Sequence, residues 1–147
     1  MTGAGPVIDE AALVAAARAA RDRAYAPYSG FTVGAALLTG DGEVVTGGNV
    51  ENASYGLSIC AERSAVVRAV AEGHRVFTAI AVAGPGPDPV TPCGACRQFL
   101  RELPPGRDLV VLMGGEAGEH ILRTSVDELL PHSFGPENLD AAGREAS

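Results

Sequence analysis

The stretch FTAIAVAG, Phe77 to Gly84, decides the fold. It is an almost unbroken apolar run, and PGPDPVTP, Pro85 to Pro92, is too rich in Pro and Gly to continue it. A strand with one wet face alternates apolar and polar side chains, whereas a continuous run belongs to a strand covered on both faces. The neighbouring segments should therefore supply covering helices.

They do so by spacing. Upstream, CAERSAVVRAVAEG, Cys60 to Gly73, places Ala61, Ala65, Val66, Ala69 and Val70 on one helical stripe, with Gly73 at a C-cap and Cys60 and Glu62 in the first turn. Downstream, CGACRQFLREL, Cys93 to Leu103, is a short helix stopped by Pro104 and Pro105. DLVVLM, Asp108 to Met113, is a second buried strand, and HILRTSVDELL gives a short strand and a helix opened by Ser125. At the other end, Asp9 caps a helix from Glu10 to about Tyr25 that carries Leu13, Val14, Ala17 and Ala20 at helical spacing. FTVGAALL, Phe31 to Leu38, and EVVTGG, Glu43 to Gly48, flank Thr39-Gly40-Asp41-Gly42 and predict a β-hairpin. The order strand, strand, helix, strand, helix, strand is that of an α/β protein, read as a single domain over 1–147 with a frayed tail from Glu137.

Charge and composition narrow the partners. With 11 Lys and Arg against 18 Asp and Glu, the net charge of −7 disfavours a polynucleotide, whose binding begins with a basic patch. No apolar run approaches a membrane span, and Met1 to Glu10 has neither the basic nor the apolar region of a signal peptide, so a cytoplasmic location is expected. An odd count of three cysteines excludes a closed disulfide framework and leaves packing, redox chemistry or metal binding.

Cys93 and Cys96 stand at i and i+3, on one face of a helix, so their sulfurs can converge on one ion; alone, the pair is ambiguous between zinc and redox chemistry. Cys60, at the start of another helix, adds a third thiolate, and three protein ligands leave a coordination position open for water, the catalytic pattern. His74, His120 and His132 sit at a helix end or in loops, and none offers an obvious fourth ligand. Three thiolates and Zn²⁺ carry an excess negative charge that opposes ionisation of the water. Two helix N-termini and Arg63, near enough to hydrogen-bond a sulfur, can offset it. Glu62, two residues after Cys60, is placed beside the metal as a general acid and base without being a ligand. Taken singly, each of these residues has an ordinary structural explanation in core packing or surface charge.

Together they read C-A-E…P-C-x-x-C, the cysteine form of the H-x-E…P-C-x-x-C signature of zinc deaminases. AYAPYSGFTVGAALL (Ala24 to Leu38), GGNVENASYGLSICAER (Gly47 to Arg63), PCGACRQFL (Pro92 to Leu100) and ELLPHSFGPENL (Glu128 to Leu139) resemble the small homotetrameric cytidine deaminases over nearly the whole chain. That resemblance implies a three-layer α/β/α cytidine-deaminase-like fold around a mixed sheet of about five strands. It also implies one Zn²⁺ per subunit on Cys60, Cys93 and Cys96, and hydrolytic deamination of cytidine or deoxycytidine with Glu62 moving the protons. By matching position, Phe31 packs on the pyrimidine, Asn49 and Glu51 bind the ribose 3′-hydroxyl, the Ala61 N–H meets O2, and the Thr91 carbonyl holds the amino group. Ala53, Tyr55 and Phe134 match positions that complete a neighbouring subunit's site. Gly48 departs from the pattern, standing where many relatives carry a further cysteine that is not a ligand.

Other readings compete. A deaminase of a modified cytosine nucleoside, of the blasticidin S type, shares both cysteine motifs but differs around the sugar, where Asn49 and Glu51 argue for ordinary ribose. A polynucleotide-editing enzyme needs a basic groove with stacking aromatics, which the net charge of −7 and the lack of tryptophan oppose. A non-catalytic protein would close the three cysteines with a histidine into a structural site.

Overall fold

The computed structural model of the chain describes residues 7–141. Its first helix, α1 (Glu10–Ala20), starts where Asp9 accepts a hydrogen bond from the Ala12 N–H at 3.1 Å. It ends earlier than Tyr25, passing into a 3₁₀ turn at Arg21–Arg23. Ala24 is already extended, and the Tyr25 N–H is taken by the Asn49 carbonyl at 2.8 Å, a long-range partner that ends the helix.

The hairpin forms from β1 (Gly34–Thr39) and β2 (Val44–Gly48), with Ala36 opposite Thr46. Then follow α2 (Ala61–Ala71), β3 (Phe77–Ala83), α3 (Gly94–Leu100), β4 (Val110–Gly114), β5 (Ile121–Ser125), α4 (Val126–Leu129) and α5 (Pro136–Ala141). The five strands make one mixed sheet in the order β2-β1-β3-β4-β5, in which only β3 and β4 are parallel. The apolar run from Phe77 is β3, the central strand.

Because side chains alternate across a strand, the sheet feeds two cores. Ala36, Leu38, Ala79, Ala81 and Leu112 meet Leu13, Val14 and Ala17 of α1 on one face. Ala35, Leu37, Ile80, Val111 and Met113 meet Ala61, Ala65 and Ala69 of α2, Leu100 of α3 and Val126 of α4 on the other. This is the three-layer α/β/α arrangement. Glycine permits the closest approaches: a Cβ on Gly34 would lie 2.0 Å from the Ala17 carbonyl of α1, and one on Gly47 would lie 2.5 Å from the Ala65 nitrogen of α2. Helix and sheet are thus in backbone contact on both sides.

The tail is not frayed at Glu137 as expected; residues 142–147 of it lie outside the described residues. Pro136–Ala141 is helical because Arg101, the 4% exposed C-cap of α3, donates to the Ser133 hydroxyl at 2.7 Å and pairs with the Glu137 carboxylate. A buried guanidinium needs such partners, and they come from a segment far away in sequence.

Candidate active site

Since β3 and β4 are parallel and β1 runs against β3, the C-termini of β3 and β4 and the start of β1 lie at one edge of the sheet, with Gly34 opposite Ala83. Three connections gather there: Phe31 to Val33 before β1, Asn49 after β2, and the loop from β3 to α3. Val50 and Ile59 pair at 2.9 Å in both directions, closing the loop between them and delivering Cys60 to the start of α2.

Cys60 and Cys93 are the N-caps of α2 and α3, and Cys96 is buried in the first turn of α3. The Cys60 and Cys93 sulfurs are 3.7 Å apart, those of Cys93 and Cys96 3.6 Å, and all three lie within 4.8 Å of one another. Two Zn–S bonds of about 2.3 Å meeting at a tetrahedral angle span about 3.8 Å, so the sulfur spacing fits zinc. No histidine joins this group among the described residues. His74 instead lies half-buried near Asp41 at 3.9 Å and Glu43 at 3.7 Å, beside the β1–β2 turn.

The electrostatics divide the three thiols. Cys60 is pulled down to about 5, first by a hydrogen bond with Cys96 and then by Arg63, whose Nη2 lies 3.6 Å from the Cys60 sulfur. Cys96, the partner that keeps the proton in the metal-free cluster, is pushed up by that same bond and by burial. Arg63 thus sits against the cysteine cluster, and Glu62 is buried, 3% exposed. Burial raises the Glu62 carboxyl above its ordinary value, the Cys60 charge adds to this, and Arg63 opposes it. A raised carboxyl is suited to holding and returning a proton near neutral pH.

Cys60, Glu62 and Cys93 open into a cavity of about 260 Å³ that Phe31, Asn49, Ala61 and Thr91 also line. Val33 and Val90 line it too, and neither is singled out by the sequence; an apolar residue two beyond Phe31 is the one signal that could have found Val33, and Val90 has no local signal. Glu51 is not in this cavity. It lines a second hollow of about 320 Å³ with Tyr28, Ser29, Tyr55 and Ser58, and there accepts the Tyr28 N–H at 2.9 Å and the Ser29 N–H at 3.1 Å. Ala53, Tyr55 and Phe134 are exposed and outside the cysteine cavity, with Tyr55 74% and Phe134 58% accessible. A larger hollow of about 730 Å³ lies away from the cavity between the outer faces of α2 and α3, where Val67 and Phe99 are exposed.

Clustered thiol donors with one open side, beside a buried carboxyl in a small cavity, have the layout of a catalytic metal centre and not of a closed structural one. Comparison with known proteins specifies the class. Residues 8–113 match the family described as the cytidine and deoxycytidylate deaminase zinc-binding region. A cytidine deaminase of Halalkalibacterium halodurans is 50% identical over 133 residues, 90% of this chain and 99% of the relative. One from Sporosarcina psychrophila is 44% identical over 138 residues, covering 94% of this chain and 100% of the relative. The crystal structure of cytidine deaminase from Burkholderia pseudomallei superposes with a TM-score of 0.81 at 52% identity, covering 86% of this chain and 100% of that one. The chain belongs to the cytidine deaminase family, a family of hydrolases.

Proposed function

We propose that the protein is a zinc-dependent cytidine deaminase that hydrolyses cytidine and 2′-deoxycytidine to uridine and 2′-deoxyuridine with release of ammonia, in pyrimidine salvage in the cytoplasm. The observation that carries the proposal is the buried Glu62 carboxyl opening into the same cavity as Cys60 and Cys93. Cys60, Cys93 and Cys96 would hold one zinc ion, which would supply a Lewis acid able to make water a nucleophile at neutral pH. Arg63 and the starts of α2 and α3 balance the thiolate charge.

Glu62 would take one proton from the attacking water and deliver it to ring N3 of the pyrimidine, then take the remaining proton from the new C4 hydroxyl and pass it to the amine, which leaves as ammonia as the C4 carbonyl forms. Its raised affinity for protons supports this double role. Phe31 packs against the ring, the Ala61 N–H at the start of α2 meets O2, and the Thr91 carbonyl accepts from the exocyclic amine. Asn49 and Glu51 serve the ribose 3′-hydroxyl, Asn49 from the cavity and Glu51 from the hollow beyond Ser29. Ala53, Tyr55 and Phe134 complete a neighbouring copy's site in a homotetramer. Their exposure away from their own cavity, and the apolar groove between α2 and α3, support that assembly.

The test is an assay of purified protein with cytidine, 2′-deoxycytidine, cytosine and CMP, following loss of the cytosine chromophore with and without chelator, alongside sedimentation. The proposal expects turnover of the two nucleosides, little with the base or nucleotide, loss of activity on chelation, and a tetramer. A zinc-loaded protein that turns over neither nucleoside contradicts it and supports a structural site instead.

A further inference from the structure

Phe31 to Val33 forms a wall of the cysteine cavity but lies outside the sheet, before β1 begins at Gly34. Its backbone groups must find partners elsewhere, and most of them find side chains. The Phe31 N–H donates to the Ser29 hydroxyl oxygen at 2.9 Å, and that hydroxyl in turn donates to Glu51. The Phe31 carbonyl accepts from Asn49 Nδ2 at 2.9 Å, and the Val33 N–H donates to Asn49 Oδ1 at 2.8 Å. Between them, the Thr32 carbonyl accepts from Arg21 Nε at 2.9 Å and the Thr32 hydroxyl from Arg21 Nη2 at 3.1 Å.

Asn49 and Glu51 therefore hold the wall in addition to any contact with a sugar, and Arg21 holds it from the end of α1. The mechanism has no other use for Arg21. Its two-pronged grip is one that a planar guanidinium makes and a lysine cannot reproduce.

We propose that Arg21 is a positioning residue for substrate binding: through Thr32 it fixes Phe31 at the angle at which the ring receives the pyrimidine. The inference rests on the proposed reading of Phe31 as the base-packing residue. A ring that packs on the pyrimidine in both the bound and the reacting state contributes uniform binding, so loosening it raises KM and leaves kcat nearly unchanged.

The experiment compares the zinc-loaded wild type with Arg21→Gln, Arg21→Lys, Thr32→Val, Phe31→Ala and the double variant Phe31→Ala/Arg21→Gln, measuring KM and kcat for cytidine, zinc content and the pH profile of kcat. Arg21→Gln should raise KM about tenfold and Arg21→Lys should recover part of that, with zinc content and pH profile unchanged. Thr32→Val leaves α1 untouched and should raise KM about threefold, which keeps the test open if Arg21→Gln does not fold. In the Phe31→Ala background, Arg21→Gln should add little, because the group it positions is gone. A KM within about twofold of wild type in both Arg21→Gln and Thr32→Val, or effects that multiply in the double variant, overturns this inference alone. A wild type without turnover of any cytosine nucleoside overturns the functional reading and this inference with it.

Discussion

Replacing Gly47 with alanine tests the link between sheet packing and the cysteine site. Gly47 lies on β2 beneath the first turns of α2, and a Cβ there would sit 2.5 Å from the Ala65 nitrogen and 2.9 Å from the Ala61 carbonyl oxygen. Ordinary contact begins at 3.4 Å, so α2 must retreat by roughly 0.9 Å. Both clashing atoms are backbone, so no rotamer change relieves them. Overpacking of this kind costs about 1–3 kcal/mol, which in a chain of this size lowers the melting temperature by about 3–10 °C. The retreat also carries Cys60 away from Cys93 and Cys96, which belong to α3, and opens sulfur spacings that now stand at 3.6 and 3.7 Å. Zinc affinity should fall about tenfold or more. Differential scanning fluorimetry with zinc stoichiometry by mass spectrometry reads both effects. A Gly47→Ala protein with wild-type melting and full zinc content would refute the claim that α2 is seated by backbone contact.

Three further outcomes are expected. In metal-free protein Cys60 is held down to about 5 by Cys96 and Arg63, so Arg63→Gln should move its alkylation profile to higher pH, and zinc affinity should drop about 10–100-fold; unchanged profiles would remove Arg63 from the site. Arg101 holds the Glu137 carboxyl below its ordinary value, so this pair stabilises the fold above the normal carboxylate range and its contribution is lost as pH falls through the lowered value. Glu137→Gln should therefore lower the melting temperature at neutral pH and have little effect in strong acid, as a melting series across pH would record. Zinc added to metal-free protein at 100 times its dissociation constant should stabilise it by about 2.7 kcal/mol, seen as a rise of roughly 5–10 °C in melting temperature.

The parts of this account that were legible in the sequence depend on local periodicity. The unbroken run Phe77 to Gly84 required cover on both faces, and the two cores supply it. The spacing of Cys93 and Cys96 and the offset of Glu62 from Cys60 followed from where two helices start, and Cys60 and Cys93 are the N-caps of those helices. What escaped was decided by partners far apart in the chain. The first helix was read to Tyr25 because nothing local announces that Asn49 takes the Tyr25 N–H. Phe31 to Val33 was read as strand because its apolar alternation is strand-like, yet its hydrogen bonds go to Arg21, Asn49 and Ser29. Glu137 looked frayed for want of any local signal that Arg101 would bind it. At Gly48 a Cβ would lie 2.9 Å from the Ala24 Cα, so a side chain there would require the neighbouring backbone to shift.

The central claim is that Glu62 carries protons beside a zinc ion that it does not bind. The direct measurement is Glu62→Gln, with zinc per chain and cytidine turnover determined on the same preparation. The account predicts full zinc and a turnover lower by about 10²–10⁴-fold, because the amide preserves shape but cannot shuttle a proton. Loss of zinc would make Glu62 a ligand, and unchanged turnover would remove it from the chemistry.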